Sequence, residues 1–214
     1  MIIAIDGPSG SGKSTLGRML ARALKLQYID TGSMYRAVAL AVIQERVDPN
    51  DDDWVTGLAN SIDIDLEGDP DSLRVLVDGR DLTEQIRDES VTRMSSVVST
   101  IPGVRRAMVE RQREMGKRGA VMNGRDIGTV VFPDADIKFF LTAAPEERAE
   151  RRYREDQSGS YAQTLAEMIE RDRRDSTRAD SPLKIADDAI VIDSTGKDIE
   201  QVFAEMMTHV HRHN

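Results

Sequence analysis

Apolar positions along the chain switch between two periods. Ile2–Asp6 is a short apolar run that ends in glycine. Leu16, Met19, Leu20, Ala23 and Leu24 then recur at the spacing of one helical face. Gln27–Asp30 reads as a second strand and residues 34–46 as a second helix. Further strands are predicted at 120–122, Ile137–Thr142 and 189–193, each followed by a helical or polar segment. Apolar strands separated by helices imply a parallel sheet covered on both faces. The expected fold class is therefore α/β, with a central sheet of about five parallel strands flanked by helices.

Residues 54–100 interrupt this rhythm. The run 73–77, the turn Asp78-Gly79-Arg80-Asp81 and Leu82 predict a hairpin. Asp-rich stretches at 48–53 and 63–71 flank it, and the segment reads as a small inserted α/β lobe. Asp65-Leu66-Glu67-Gly68 fits D-x-x-G, but no strand is predicted to lead into it. Trp54 is expected to be a packing anchor of the lobe. Pro102 opens a helix with Val104, Ala107, Met108 and Met115 on its apolar face and Arg105 off it. Residues 148–178 are charged, mostly helical, and broken at Ser158-Gly159-Ser160, a segment with little core of its own and a candidate mobile lid. The expected division is a core of 1–53 and 101–214, with a lid at about 145–180 and the inserted lobe at 54–100. His209, His211 and His213 alternate on what reads as a solvated tail.

Composition narrows the classes. A chain of 214 residues can bury a sizeable core, and with no cysteine it has no disulfide, thiolate nucleophile or cysteine-ligated metal site. No apolar run approaches the ~20 residues a membrane helix needs. A formal net charge of −9 argues against nucleic acid or an anionic membrane as a partner. Arginines nonetheless cluster at 105–118, 148–154 and 171–178, which suits a small polyanion. The N-terminal residues lack a basic leader and run straight into a glycine turn, so a cytoplasmic protein is expected, and a monomer.

One motif carries chemistry. Gly7-Pro8-Ser9-Gly10-Ser11-Gly12-Lys13-Ser14 matches G-x-x-x-x-G-K-[ST] in full, followed by Thr15. Glycines let the backbone wrap a phosphate chain with its N–H groups inward, and the helix that follows points its positive end at the same anion. Lys13 is expected at the β/γ oxygens and the Ser14 hydroxyl on Mg²⁺. Residues 7–15 thus predict an ATP-type site of the P-loop NTPase fold. No guanine-reading Asn/Thr-Lys-x-Asp occurs. Arginines in distinct segments suit a kinase whose acceptor is itself a phosphate.

Four segments carry a closer resemblance: Ala4-Ile5-Asp6-Gly7-Pro8, Asp30-Thr31-Gly32-Ser33-Met34-Tyr35-Arg36, the run from Gly124-Arg125-Asp126 through Phe132-Pro133-Asp134-Ala135, and Arg171-Asp172-Arg173-Arg174-Asp175-Ser176-Thr177-Arg178. In order and over essentially the whole chain, they resemble bacterial cytidylate kinases. The resemblance implies transfer of the γ-phosphoryl group of ATP to CMP or dCMP, with the 54–100 lobe binding the monophosphate. It implies that Arg36, Arg125 and Arg178 hold the acceptor phosphate. Asp126 would accept from the cytosine N4 amine and Arg105 would donate to N3/O2. Ser96 and Thr31 would add hydroxyls at base and sugar, and Arg171 and Asp175 would touch the sugar. In the lid, Arg148 and Arg152 are the expected arginines over the transferring phosphoryl group, with Arg151 and Arg154 competing. The sequence departs from the family at Asn123, where an acidic residue usually precedes Gly-Arg-Asp; the metal's surroundings are expected to differ, with Asp6 contributing. A related P-loop small-molecule or UMP kinase, and a non-catalytic nucleotide-binding module, are the alternatives.

Overall fold

A computed structural model describes residues 1–156 and 160–213. Five parallel strands form the central sheet: β1 (Ile2–Asp6), β2 (Gln27–Asp30), β6 (Ala120–Gly124), β7 (Ile137–Thr142) and β8 (Ile190–Asp193), in the order β2-β6-β1-β7-β8. The pairing register sets Ile5 beside Asn123, Asp6 beside Gly124 and Asp30 beside Asn123. The loops after β1, β2 and β6 therefore leave the sheet side by side at its C-terminal edge, where parallel sheets place their ligands.

Strand alternation divides the interior between the two faces. Ile3, Ile5, Val121, Phe139 and Leu141 pack under α1 (Lys13–Leu24) and α8 (Ile199–His213). Ala4, Ile29, Ala120 and Met122 pack under α2 (Thr31–Gln44) and α5 (Pro102–Gly116). Between these last two helices lie α3 (Asp52–Ser61), a three-stranded antiparallel sheet of β3 (Ile64–Glu67), β4 (Arg74–Val77) and β5 (Arg80–Asp81), and α4 (Glu89–Val98). Its apolar residues Ile64, Leu66, Val75, Ile86 and Val91 join the α2–α5 core. The charged pair α6 (Pro145–Asp156) and α7 (Tyr161–Thr177) follows β7. No helix among the described residues is long and apolar enough to cross a membrane.

Several expectations are revised. The second helix begins at Thr31 rather than at 34, because the Asp30 side chain accepts from Gly32 N and caps it. Ile64–Glu67 is a strand, with Ile64 and Leu66 buried and Asp65 and Glu67 exposed. Trp54 is 62% exposed rather than buried as an anchor of the segment. The C-terminal tail is a continuous helix, in which His209 meets the Phe139 ring edge-on and His211 and His213 are exposed. The helix break predicted at 158–160 lies, for 158 and 159, outside the described residues, and Ser160 caps α7 through a bond from Gln163 N.

Candidate active site

The loop after β1 has no room for a side chain at its first residue. Gly7 has φ +147, and a Cβ there would stand 2.0 Å from the Leu141 carbonyl oxygen of β7. Gly7 and Pro8 are buried at the back of the loop, while Ser9 to Thr15 line the cleft. Lys13 opens α1 and is buried, its Nζ donating to Pro8 O (2.6 Å) and Ser11 Oγ (3.3 Å). Burial drives the Lys13 pKa well below its ordinary value; Arg125 and Arg171 add to the effect, against Asp175 and Asp6. The earliest intrahelical bond runs from Leu16 N to Gly12 O, so the amides of residues 13–15 face outward at the positive end of the helix. Such a loop stabilises an anion.

Across the cleft the groups are matched in pairs. Asp126, 5% exposed, accepts from Arg105 Nη2 at 2.5 Å. Arg105 is 1% exposed, donates through Nη1 to Ser99 O, and has its guanidinium carbon 5.6 Å from the centre of the Tyr35 ring. Arg178 Nη2 lies 3.7 Å from the other Asp126 oxygen. Asp175 accepts from Arg125 Nε at 2.7 Å. Burial alone would raise the Asp175 carboxyl, but Arg125 and Arg171 outweigh it and hold it below its ordinary value. Burial, then Arg125, lowers Arg171 to about 10. On α2, Arg36 donates to Ser33 Oγ and Asp30. The Thr31 hydroxyl donates to Asn123 O.

The loop side and the arginine side share one cleft of about 1630 Å³. It is lined by Lys13, Ser14, Thr31, Arg36, Ser96, Arg105, Arg125, Asp126, Arg152, Arg171, Asp175 and Arg178. Around it, Ser96 Oγ, Arg36 Nε, Arg105 Nε, Arg171 Nε, Arg178 Nη2 and Asn123 Oδ1 are buried without a hydrogen-bond partner among the described residues. Buried polar atoms are usually satisfied, so such a concentration marks groups shaped for a polar ligand.

Two sequence expectations are corrected. Arg148 does not reach the cleft: it is buried, with Nε donating to Ala143 O and Nη1 to Ser9 O and Asp172. Of its competitors, Arg151 lines the cleft but is bonded to Ser194 and Glu147, and Arg154 is exposed on Glu150. Asp6 does not stand in the lining of the cleft. Its two oxygens accept from Ile127 N (2.8 Å) and Gly128 N (2.7 Å), fixing the turn that follows Asp126. Burial raises its pKa to about 6 against the lowering effect of those two amides.

The residues suit a hard divalent cation carried with phosphate. Ser14 is exposed to the cleft and accepts from Asn123 Nδ2 (3.2 Å), beside the unpartnered Asn123 Oδ1. No cluster of three or more His, Cys, Asp or Glu able to hold a metal forms among the described residues. Mg²⁺, which keeps several waters and takes phosphate oxygens, needs no such cluster.

Sequence reasoning missed Tyr35, Asp30 and Asp172 as site-shaping groups. All three lie inside the runs that carried the resemblance, but their burial and partners are tertiary facts.

The cytidylate kinase family model matches residues 3–212 of the chain. A cytidylate kinase of Geobacter sp. (strain M21) is 46% identical over 211 residues, covering 96% of this chain and 91% of the relative. One from Desulforamulus reducens is 50% identical over 216 residues, covering 98% and 96%. Among solved structures, an uncharacterized protein from Eubacterium ventriosum ATCC 27560 has a TM-score of 0.57 at 12% identity, covering 99% of this chain and 98% of that one, a likeness of fold.

Proposed function

The chain belongs to the cytidylate kinase family, and on that premise we propose how its cleft transfers the γ-phosphoryl group of ATP to CMP or dCMP. Lys13 and the amides of the 7–15 loop hold the donor phosphates. Arg36, Arg125 and Arg178 grip the acceptor phosphate, for which a guanidinium fork is the fitting partner. An acceptor oxygen attacks the γ-phosphorus in line as the bond to the β–γ bridging oxygen breaks, and ADP leaves. The acceptor phosphate is already anionic, so no general base is required. Catalysis is positioning and charge neutralisation, with Lys13 and Arg152 nearest the transferring group. Ser14 would hold Mg²⁺, which when bound neutralises phosphate charge.

Asp126 and Arg105 read the base: the carboxylate accepts from N4, and the guanidinium donates to N3/O2. Ser96 and Thr31 add hydroxyls, and Arg171 and Asp175 face the sugar. Uracil, with O4 in place of the amine, would set an acceptor against Asp126, at a cost of roughly 1–3 kcal/mol. Residues 54–100 form the acceptor lobe and about 145–180 the lid in this reading, in a cytoplasmic monomer that acts on free nucleotides.

One observation carries the base reading: a buried acceptor–donor pair, Asp126 and Arg105, lines the same cleft as the phosphate loop. ADP release measured with CMP, dCMP, UMP, AMP and shikimate tests it. CMP and dCMP should lead. UMP preferred over CMP would reject the base assignment, and ATP binding with no transfer to any acceptor would identify a non-catalytic module.

A further inference from the structure

The outer side of the phosphate loop is held by an ion pair. Ser9 N donates to Asp172 Oδ1 at 3.1 Å. Arg148 Nη1 donates to Asp172 Oδ2 at 2.6 Å and to Ser9 O at 2.8 Å. Both polar groups of one loop residue's backbone are therefore bound by Arg148 of α6 and Asp172 of α7, which also bind each other. The next residue is covered by the same helices. Gly10 has φ +72, and a Cβ there would stand 2.9 Å from both Arg148 O and Met168 Cε. Arg148 and Met168 are buried.

Position on α7 gives the contact its meaning. At about 100° per residue, Met168 and Asp172 lie on one edge of a helical face and Arg171 and Asp175 continue it on the other, with Arg178 following at the C-terminal cap. The first edge touches the donor loop. The second lines the acceptor side of the cleft, where Asp175 holds Arg125. One helix thus spans both proposed nucleotide sites.

We propose that Asp172, paired with Arg148, is a positioning residue that couples the two sites: it locks the donor loop to the helix that carries the acceptor groups. The inference rests on the phosphoryl-transfer reading above. Asp172 touches neither nucleotide and acts through Ser9. A loop held in its phosphate-binding form by α7 favours the α7 position in which Arg171, Asp175 and Arg178 face the acceptor, so each nucleotide strengthens the other's binding. Coupling of this kind is reciprocal and is commonly about 5-fold or more.

Calorimetric titration of CMP, with and without a non-hydrolysable ATP analogue, tests the proposal in the wild type, Asp172→Ala and Asp172→Asn. In the wild type the analogue should tighten CMP by about 5-fold or more. In Asp172→Ala that ratio should fall to within about 2-fold of unity, with CMP affinity measured alone nearly unchanged and kcat lowered roughly 10- to 100-fold. Asp172→Asn, which keeps an acceptor for Ser9 N but loses the charge, should fall between. A wild-type ratio of one, or a variant that keeps the wild-type ratio while both affinities fall together, overturns the proposal. Should Asp172→Ala melt below the assay temperature, Asp172→Asn carries the same two outcomes. If the wild type phosphorylates no monophosphate, the functional reading fails, and that result is separate from loss or retention of coupling.

Discussion

Asp126 shows how much one side chain is asked to do. Its carboxylate neutralises Arg105 in a place almost without water, and in the proposed complex it also accepts from the base. Deleting one partner of a buried pair leaves an uncompensated charge, typically at a cost of about 3–5 kcal/mol. For a chain of this size that is a melting-temperature drop of roughly 6–20 °C. Asp126→Ala would therefore mix instability with lost recognition. Asp126→Asn removes the same countercharge but keeps the shape and an acceptor for Arg105, so it should cost less stability than Ala, and its amide can present either an oxygen or an N–H to the base. We expect the CMP KM to rise roughly 10- to 100-fold and the ATP KM to change by less than about 3-fold, with discrimination against UMP relaxed. Initial rates with each nucleotide varied in turn check this; equal rises in both KM values would count against base reading. The residue itself was legible in Gly124-Arg125-Asp126. Its tie to Arg105 was not, because a helix position off the apolar stripe reads as exposed unless the opposing loop is known.

Elements explain why so much of the edge of the sheet was readable and the lobe less so. Glycine, proline and aspartate mark where β1 and β2 end, and the parallel register does the rest by bringing residues 6, 30 and 123–124 side by side. The start of α2 is hidden because Asp30-Thr31-Gly32-Ser33 has turn composition, although Asp30 is spent on capping. Strand β3 hid in an acidic stretch, yet its in–out alternation is in the sequence. Trp54 departs from the expected burial because hydrophobicity predicts burial only on average. The turn after β6 depends on Asp6 at the end of β1, and this has a pH consequence. Its pKa stands at about 6 against an ordinary value of 3.8, so between those limits the folded chain binds a proton that the unfolded chain has released. This contribution to stability is full below the unfolded value and is lost as pH rises through about 6. Asp175, held below its ordinary value, works in the opposite sense. Comparing the wild type with Asp6→Asn isolates Asp6. The difference in stability should shift in the variant's favour as pH rises from 4 to 7 by roughly 2–3 kcal/mol, on top of a constant loss from the weakened bonds to the two amides. Denaturant midpoints across that range check it, and a flat difference would remove Asp6 as the titrating group.

At the scale of the whole molecule, the sequence predicted two sets of phosphate-binding residues but could not measure the space between them. Their separation is set by the sheet and by α7, and neither composition nor motif spacing reports it. The structure lines both sets along one cleft. If the two nucleotides sit in that cleft end to end, a molecule joining adenosine to cytidine through five phosphates should occupy both places at once. Three phosphates correspond to the donor and one to the acceptor, and the fifth provides slack for the distance crossed in transfer. Binding one end raises the effective concentration of the other, so affinity should exceed that of either nucleotide alone by roughly 10²- to 10⁴-fold. The stoichiometry should be one per chain, and the compound should compete with ATP and with CMP alike. Two molecules bound per chain, or competition with only one nucleotide, would mean that the donor loop and the Asp126–Arg105 pair serve separate sites, and the assignment of Arg36, Arg125 and Arg178 to the phosphate next to the γ-position would fall with it.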